Sequence, residues 1–529
     1  MKILGVQLGH NSSVCLYDNK KLIYYNQEER LSRLKKDGGL PILCLDQIKN
    51  IVSKIDVGIC TSYDPIDSHS FVSDYLLRLE LIDRHDLVFY LYHSHHLMHA
   101  TKAYFSSGFK DATIFVVDGR GSKYNLSNGH TGYETTTVFS LKYPQEFNTI
   151  YKVIYSEHNK NKNADIFLEK NVPSINKDTK FKITSSFDLG HFYSAVSNYF
   201  GWINEEGKLM GLSAYGRPNL KLRNNMLETD FFVNNFNINS KYKIDSKEDL
   251  AFETQKYFED RFFDLINTYK DVNKNIIITG GTGLNVVNNY KLKKYFKNNN
   301  IYVDPLCGDE GNSIGACQHY LYRTQNNNDF DKVNSLYLGP SYKLNLTDKN
   351  KIVDENYIVN LLLKNNIVAL YQEKGEAGPR ALGNRSLLMD PRIKNGKYIM
   401  NNVKGREQFR PLACCVLEEY AKEWFDLDTS PHMMYSAKAI NNTKNIVSSI
   451  VHEDLTCRIQ TINQQQNPVL YKIIKQFYNL TGVPILMNTS FNLKGQPIVE
   501  TPKDAIETLK KSKINYLYFS ENNKLYENN

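Results

Sequence analysis

The segment HSHHLMHA contains four histidines, and the spacing of two of them suits metal binding. If the segment is helical, His95 and His99 lie one turn apart on the same face, where two imidazoles can hold one metal ion. Asp118, at the end of the predicted strand in FVVDGRG, is a candidate third ligand, and Asp309, in CGDEGNSIGA, is a candidate fourth. Two histidines and two carboxylates favour iron, manganese or zinc. The alternative is a histidine-rich helix whose imidazoles have unrelated surface roles.

Two glycine-rich turns are candidate anion sites. GHNSS at 9–13 lies between two predicted strands, and GGTGLN at 280–285 lies between a strand and a helix. Backbone N–H groups in such turns, together with a helix N-terminus, form sites the size of a phosphate. Neither turn has the lysine of a Walker A phosphate-binding loop or the glycine pattern of a dinucleotide-binding fold. The alternative is that both are tight turns whose glycines are needed for positive φ. Glu206, in EEGKLMGLSAYGRP, can bind ribose hydroxyls or can be an exposed helix end.

The C-terminal part of the chain has basic residues in loops rich in glycine and proline. They come from EAGPRALGNRSLLMDPR, VKGREQFRP and DLTCRIQT, and they are Arg380, Arg385, Arg392, Lys404, Arg406, Arg410 and Arg458. Arginines in such loops suit bidentate binding of phosphate or carboxylate groups. The alternative for some of them is a structural ion pair with Glu376, Asp390 or Glu407.

Alternating strands and helices are predicted to position these residues. ILGVQL, SVCLYD, LIYYNQ, DATIFVVDGRGS, YETTTVFSL and NIIITGG have strand patterns, whereas HHLMHATKAYFSSG has a helical one. The mixture predicts an α/β domain. Residues 156–180 are predicted to be a polar surface excursion and Thr324–Lys332 a linker, so a second domain is expected to begin near 330–350.

The composition is that of a globular protein with more than one domain. The chain has 529 residues, of which 41% are hydrophobic and 23% charged. It has neither a membrane-length apolar run nor a signal-like N-terminus, so we predict a cytoplasmic protein. The eight cysteines lack metal or disulfide spacing and are predicted to be reduced and buried. The formal charge of +8 suits phosphate-bearing substrates and is compatible with nucleic acid.

In their order along the chain, these motifs resemble those of the O-carbamoyltransferases of the nodulation and antibiotic-tailoring type. The resemblance extends from about residue 3 to about residue 520, and EAGPRALGNRS and NTSFN are its most diagnostic parts. It implies an α/β chain. Residues 1–340 would form a two-lobed, actin/Hsp70-like (ASKHA) domain similar to the tRNA threonylcarbamoyl-transferase ATPases. Residues 341–529 would form an α+β YrdC-like domain.

The resemblance implies a transfer reaction in two steps. Carbamoyl phosphate would bind the C-terminal domain, and the carbamate released there would attack the α-phosphorus of magnesium-bound ATP, giving carbamoyl-adenylate and pyrophosphate. An acceptor hydroxyl would then attack the carbamoyl carbon in the N-terminal domain. A divalent metal, Fe(II) with zinc and manganese left open, would hold phosphate there and orient the carbamoyl group. His10 is the candidate base for the hydroxyl or a residue that only binds phosphate.

The resemblance also implies which residues form each site. The metal ligands would be His95, His99, Asp118 and Asp309. The nucleotide turn would use Gly280, Gly281, Gly283 and Asn285, with Glu206 on the ribose side. The C-terminal site would use Arg380, Lys404, Arg406, Arg410, Arg458, Asn488, Ser490 and Asn492, with Lys404 and Arg458 as catalytic candidates. Ala377, Glu453, Leu455 and Cys457 depart from the family pattern, and no ligand is lost.

Two other functions stay open at this point. A tRNA-modifying threonylcarbamoyl-transferase would account for the metal motif but not for the C-terminal motifs, and a non-enzymatic ATP-binding relative would share only the fold. The acceptor is open as well. A hydroxyl of a small molecule or sugar is the default, and a hydroxymethylated nucleotide or DNA base is the alternative. No membrane partner is expected, and a homodimer is compatible with the resemblance.

Overall fold

The computed structural model describes residues 1–62, 69–127, 129–157, 174–234, 236–325, 329–344 and 351–528. Residues 158–173 of the predicted surface excursion and 326–328 of the predicted linker lie outside these ranges. The chain divides into two compact units. The first contains Met1–Ser32 and Lys36–Asn334, and the second contains Arg33–Lys35 and Ser335–Asn529. No helix within the described ranges is long and apolar enough to cross a membrane.

The strands of the first unit are short and mostly buried. They are β1 (Lys2–Gln7), β2 (Ser13–Asp18), β3 (Lys21–Gln27), β4 (Val57–Thr61), β5 (Val88–Leu91), β6 (Asp111–Val117), β7 (Lys123–Asn125), β8 (Thr131–Lys142), β9 (Asn148–Tyr155), β10 (Lys180–Thr184), β11 (Phe232–Asn234), β12 (Asn237–Ile238), β13 (Asn275–Thr279) and β14 (Asn300–Val303). Its helices are α1 (Glu28–Ser32), α2 (Ile42–Lys49), α3 (His69–Arg78), α4 (His95–Ser107), α5 (Leu189–Tyr199), α6 (Glu206–Leu212), α7 (Leu220–Met226), α8 (Lys247–Tyr269), α9 (Val286–Tyr295) and α10 (Asn312–Gln325).

Two sheets in this unit repeat one strand order. The first has the order β3-β2-β1-β4-β5, and the second has β10-β9-β8-β6-β13-β14, with β7 added beside β8. In each sheet an antiparallel trio, β3-β2-β1 or β9-β8-β6, is followed by two parallel strands. The described part of this unit also has a separate hairpin of β11 and β12. The α/β class predicted from the sequence is confirmed.

Helices α4 and α10 connect the two sheets through close packing. α10 packs on β1 and β4, α4 packs on β6 and β13, and the two helices pack against each other. Glycine permits this approach, because a Cβ at Gly5 would lie 2.1 Å from the carbonyl oxygen of Ser313 and one at Gly315 would lie 2.3 Å from that of Met98. Helix α4, which is buried from His95 to Phe105, is therefore held between sheet and helix, and its histidines are fixed in position.

The second unit is built on one mixed sheet. Its strands are β15 (Lys351–Ile352), β16 (Val368–Tyr371), β17 (Arg385–Met389), β18 (Ala413–Leu417), β19 (Ser436–Lys438), β20 (Thr456–Ile462), β21 (Ile485–Ser490), β22 (Tyr516–Phe519) and β23 (Lys524–Glu527), in the order β15-β23-β22-β16-β17-β21-β18-β20-β19. Its helices are α11 (Glu355–Leu363), α12 (Gly396–Val403), α13 (Ala421–Trp424), α14 (Thr443–Ile446), α15 (Pro468–Thr481) and α16 (Pro502–Lys510). The YrdC-like assignment of this unit stays a prediction.

Candidate functional site

Four side chains of the first unit converge on one point. His95 and His99 come from α4, Asp118 follows β6, and Asp309 lies in the short 3-10 helix that precedes α10. The two Nε2 atoms are 3.2 Å apart. Asp118 Oδ2 lies 3.5 Å from each of them, and Asp309 Oδ1 lies 3.4 and 3.3 Å away. One ligand atom from each residue lies within 4.8 Å of all the others, so the sequence-predicted ligands are brought together.

The donor set and its surroundings fit a divalent cation. Asp118 Oδ2 is buried and has no hydrogen-bond partner among the described residues, whereas Oδ1 accepts the N–H groups of Gly119 at 2.7 Å and Gly281 at 3.3 Å. Burial disfavours a charged imidazole, but Asp309 and Asp118 raise the pKa of His95 to about 10. The same carboxylates raise the pKa of His99. The raised pKa values reflect the negative charge of the two carboxylates, which a bound metal would neutralise.

The glycine turn predicted to bind nucleotide lies against this centre. Gly280 has φ +84°, and a Cβ there would lie 2.5 Å from the carbonyl oxygen of Val117. A Cβ at Gly281 would lie 2.8 Å from Asp118 Oδ1, and one at Gly283 would lie 3.0 Å from the Cys307 sulfur. The positive φ of Gly280 agrees with the alternative interpretation, a tight turn that needs positive φ, whereas Gly281 and Gly283 are restricted by these close contacts. Because these glycines lie beside Asp118, nucleotide binding by this turn stays a prediction.

Asn285 and Glu206, also predicted on the nucleotide side, differ in their contacts. Asn285 caps α9, because its Oδ1 accepts the N–H of Asn288 at 3.1 Å, and its amide also bonds to Gln255. Both polar atoms of Asn285 are thus engaged within the fold. Glu206 begins α6, as predicted, and its Oε1 accepts a hydrogen bond from Ser194 at 3.1 Å. Glu206 lies at a helix start and is half-buried. Its carboxylate is therefore better suited to bind a ligand hydroxyl than the amide of Asn285, which is already hydrogen-bonded within the fold.

His10 lies in the turn between β1 and β2. Its Nε2 atom is buried and has no hydrogen-bond partner among the described residues. The neighbouring Asn11 donates to Glu310 at 3.3 Å, and Glu310 adjoins the candidate ligand Asp309. Desolvation by burial, with Asp309 nearby, raises the pKa of Glu310 to about 7. The sequence motifs do not single out Glu310, since no spacing pattern connects it with the distant β1–β2 turn.

A cluster of basic side chains forms the second candidate site, in the second unit. Lys404 is only 4% exposed, and its Nζ donates to the carbonyl and hydroxyl of Ser490 and to Asn492 Oδ1 at 2.9 Å. Burial together with Arg406, Arg410 and Lys35 lowers the pKa of Lys404 well below its ordinary value. Positive charges crowded at a buried position create an anion site.

The arginines of this cluster have donors left over for a ligand. Arg406 Nη2 and Arg458 Nε are buried and have no hydrogen-bond partner among the described residues. Burial and the neighbouring Arg380 and Arg406 lower the pKa of Arg458. Arg410 forms an ion pair with Glu407, at 3.8 Å. An anion would supply the missing acceptors and the missing negative charge.

Two other arginines have structural contacts instead. Arg385 is fully buried, donates to backbone carbonyl groups including those of Glu373 at 2.9 Å and Glu500 at 3.3 Å, and lies over the Tyr371 ring. Arg392 pairs with Asp390 at 2.7 Å. The ion pair offered as the alternative therefore holds for Arg392, whereas Arg385 is structural through backbone carbonyl groups instead. Glu376, which was also a candidate partner for these arginines, instead accepts hydrogen bonds from the backbone N–H groups of residues 382, 384 and 385.

The NTSFN motif contributes polar groups from the end of β21. Asn488 is fully buried and donates to Gln460 at 3.0 Å, while its Oδ1 has no partner among the described residues. Ser490 donates to Asn492 Oδ1 at 2.6 Å, and both contact Lys404. Ser490 and Asn492 thus hold the ammonium group of Lys404 in place. Lys35, which belongs to the second unit, also contributes positive charge here, and the sequence analysis did not predict this because Lys35 is more than 300 positions away along the chain.

All eight cysteines are free and buried, as predicted. The close pairs Cys15–Cys317 and Cys414–Cys457 have sulfur atoms 3.5 Å apart, too far for a disulfide bond. Burial raises the pKa of the Cys317 and Cys414 thiols. These buried thiols are accordingly packing residues of low reactivity.

Comparisons with known proteins match both the N-terminal and the C-terminal part of the chain to one family. The family model described as the carbamoyltransferase N-terminus matches residues 67–230 and 223–318, and the model described as the carbamoyltransferase C-terminus matches residues 359–524. An uncharacterized protein of Methanocaldococcus jannaschii is 31% identical over 81% of this chain and 72% of its own length.

Relatives from nodulating bacteria are also similar to the chain. Nodulation protein NolNO of Sinorhizobium fredii is 25% identical over 94% of this chain and 76% of its own length. Nodulation protein U of the same species is 30% identical over 44% of this chain and 42% of its own length. The resemblance stated from the motifs is confirmed. With both halves matched by their family models, the chain belongs to the carbamoyltransferase family and is a carbamoyltransferase.

Proposed function

We propose that the protein is an ATP-dependent O-carbamoyltransferase. The second unit forms carbamoyl-adenylate from carbamoyl phosphate and ATP, and the first unit transfers the carbamoyl group to an acceptor hydroxyl. The observation that carries the proposal is the buried basic cluster around Lys404, Arg406 and Arg458, which has unused donors and occurs in a carbamoyltransferase. The repeated strand order of the first unit supports the actin/Hsp70-like fold that the proposal requires.

In the first step, Lys404, Arg406 and Arg458 bind the phosphate of carbamoyl phosphate. Water takes up the phosphoryl group, so that carbamate and inorganic phosphate result. A carbamate oxygen then forms a bond to the α-phosphorus of ATP, and the bond from that phosphorus to the bridging oxygen breaks, so that pyrophosphate leaves. Preorganised cations stabilise this reaction, because negative charge is redistributed among phosphate oxygens that they already contact.

In the second step, the oxygen of the acceptor hydroxyl forms a bond to the carbamoyl carbon, and AMP leaves with its phosphate oxygen. His10 is the proposed base, and its unpartnered Nε2 atom is the proton acceptor. His95, His99, Asp118 and Asp309 would hold a divalent cation, for which Fe(II) is proposed and zinc or manganese fits the same donors. Such a cation, when bound, binds phosphate oxygens and polarises a carbonyl group.

The acceptor is proposed to be the hydroxyl of a small molecule or sugar. A hydroxymethylated nucleotide or DNA base is the second candidate, favoured by the formal charge of +8. The two classes separate in a simple comparison. Radiolabel from carbamoyl phosphate would enter the hydroxyl groups of sugars or other small molecules in one case and hydroxymethylated DNA in the other.

Pyrophosphate release tests the proposal without knowledge of the acceptor. The metal-loaded protein is incubated with ATP and magnesium, with or without carbamoyl phosphate, and mass spectrometry follows carbamoyl-adenylate. We expect pyrophosphate release that depends on carbamoyl phosphate and is accompanied by the adenylate. Release at the same rate without carbamoyl phosphate, or no release from folded, metal-loaded protein, would contradict the proposed first step.

Anion binding at the basic cluster is expected to be accompanied by proton uptake at pH values between the lowered pKa of Lys404 in the free protein and its higher pKa in the complex. Burial and neighbouring cations lower the pKa of Lys404, and a bound anion opposes both effects, so the pKa rises on binding. The bound state therefore holds more protons, and affinity falls as pH increases. Calorimetric titration with inorganic phosphate, in buffers of different ionisation enthalpy, measures this uptake. Lys404→Met should remove it, and an unchanged uptake in that variant would assign the proton to another group.

A further inference from the structure

The first turn of α4 is capped by residues far away in the sequence. Ser94 precedes the helix, but its hydroxyl donates to the carbonyl of Leu91 at 2.7 Å and does not cap it. Instead, the N–H of His95 donates to Ser122 Oγ at 3.1 Å and the N–H of His96 donates to Glu134 Oε1 at 3.2 Å. The first N–H groups of a helix have no acceptor within it, so these two bonds fix where the metal-binding helix begins.

The same carboxylate also holds the loop that follows Asp118. Glu134 Oε1 accepts the N–H of Ser122 at 3.0 Å. The backbone of Glu134 exchanges two further bonds with this loop, since Gly121 donates to its carbonyl at 2.7 Å and its own N–H donates to Ser122 at 3.0 Å. One oxygen atom of Glu134 therefore joins the helix carrying His95 and His99 to the loop that begins at Asp118.

The charge of Glu134 is balanced by Lys152. Glu134 on β8 and Lys152 on β9 form an ion pair, and they are 0% and 3% exposed. Tyr124 also donates to Glu134 Oε2, at 3.5 Å. A buried ion pair can often be replaced by apolar side chains without loss of stability, although removing one partner alone is strongly destabilising. An apolar pair would, however, leave the N–H groups of His96 and Ser122 without their acceptor.

We propose that Glu134 is a positioning residue for the metal centre. Its Oε1 atom fixes α4 and the Asp118 loop relative to each other, so that three of the four proposed ligands converge. The inference rests on the proposed metal site. Outer-shell groups that orient metal ligands contribute about 10–100-fold to metal affinity. A loss of this size is expected when the acceptor is removed while charge balance and side-chain volume are kept.

Two double variants isolate the acceptor atom. Glu134→Gln with Lys152→Met keeps an Oε1 acceptor for both N–H groups, whereas Glu134→Leu with Lys152→Met removes it, and both variants are neutral at the pair. Co²⁺ affinity of the full chain is measured by competition with a chelator, and the Co²⁺ absorption spectrum reports the coordination geometry. We expect near wild-type affinity for the glutamine variant and an affinity about 10–100-fold lower for the leucine variant.

Controls separate this inference from the metal site itself. Asn273→Ala removes two hydrogen bonds, to Thr113 and Ser140, at the other end of the same sheet, and should leave Co²⁺ affinity unchanged. Equal Co²⁺ affinity and equal spectra for the two double variants, both folded, would overturn the positioning role alone. If His99→Ala bound Co²⁺ as tightly as the wild type, the metal site would be misplaced and the inference would fall with it.

Discussion

Replacement of His99 by alanine is expected to abolish metal retention and carbamoyl transfer. His99 Nε2 lies within 3.5 Å of His95 Nε2 and of both candidate carboxylate ligands, so its loss removes one of four donors. Outer-shell substitutions typically lower metal affinity about 10–100-fold, and the loss of a ligand should exceed that range. Metal content of the purified protein and transfer of radiolabel from carbamoyl phosphate to an acceptor are the measurements.

Adenylate formation provides the internal control for this variant. The basic cluster belongs to the second unit and the histidines belong to the first, so His99→Ala should still release pyrophosphate when carbamoyl phosphate is added. Asp309→Asn tests the same site with a change of charge at constant shape. His130→Ala, an exposed histidine in the same unit, is the matched control and should keep its metal. Full transfer by metal-free His99→Ala would refute the ligand assignment.

Local patterns predicted the elements that carry the metal ligands. The spacing of His95 and His99 needs only the helical period, and α4 provides it. FVVDGRG predicts a buried strand followed by a turn, and Asp118 follows β6 as expected. That Asp309 joins them depends on the packing of α10 against α4, which no local pattern contains. Its motif made Asp309 a candidate, and the resemblance then placed it among the ligands.

The supporting contacts could not be predicted from the sequence for the same physical reason. Glu134 is an unremarkable polar residue in a strand pattern, and its contact with His96 spans 38 positions of the chain. Arg385 and Arg458 both occur in motifs typical of anion binding, but the structure surrounds one with backbone carbonyls and the other with cations. Residue type and spacing identify candidates, whereas burial and the charge of neighbours decide between a structural and a binding role.

Arg458→Ala is expected to suppress carbamoyl-adenylate formation. Arg458 lies on β20 with a buried, unpartnered Nε atom and has Arg380 and Arg406 as neighbours. Loss of one preorganised donor to a developing oxyanion typically lowers the rate constant about 10²–10³-fold, and we expect a loss of this size in carbamoyl-phosphate-dependent pyrophosphate release. Arg458→Lys should recover part of it, because the charge remains although the bidentate geometry is lost.

The stability of Arg458→Ala distinguishes a binding role from a structural one. Burial and the neighbouring cations lower the pKa of Arg458, so its charge is unfavourable in the ligand-free protein, and its removal should leave the unfolding temperature unchanged or raise it. A side chain that is needed for function often destabilises the ligand-free protein, because its unfavourable interactions are relieved only when the ligand is bound. Arg392→Ala removes an arginine that is paired with Asp390, and it should keep adenylate formation. If Arg458→Ala lowered the unfolding temperature and kept the adenylate yield, the anion site would have to lie elsewhere in the second unit.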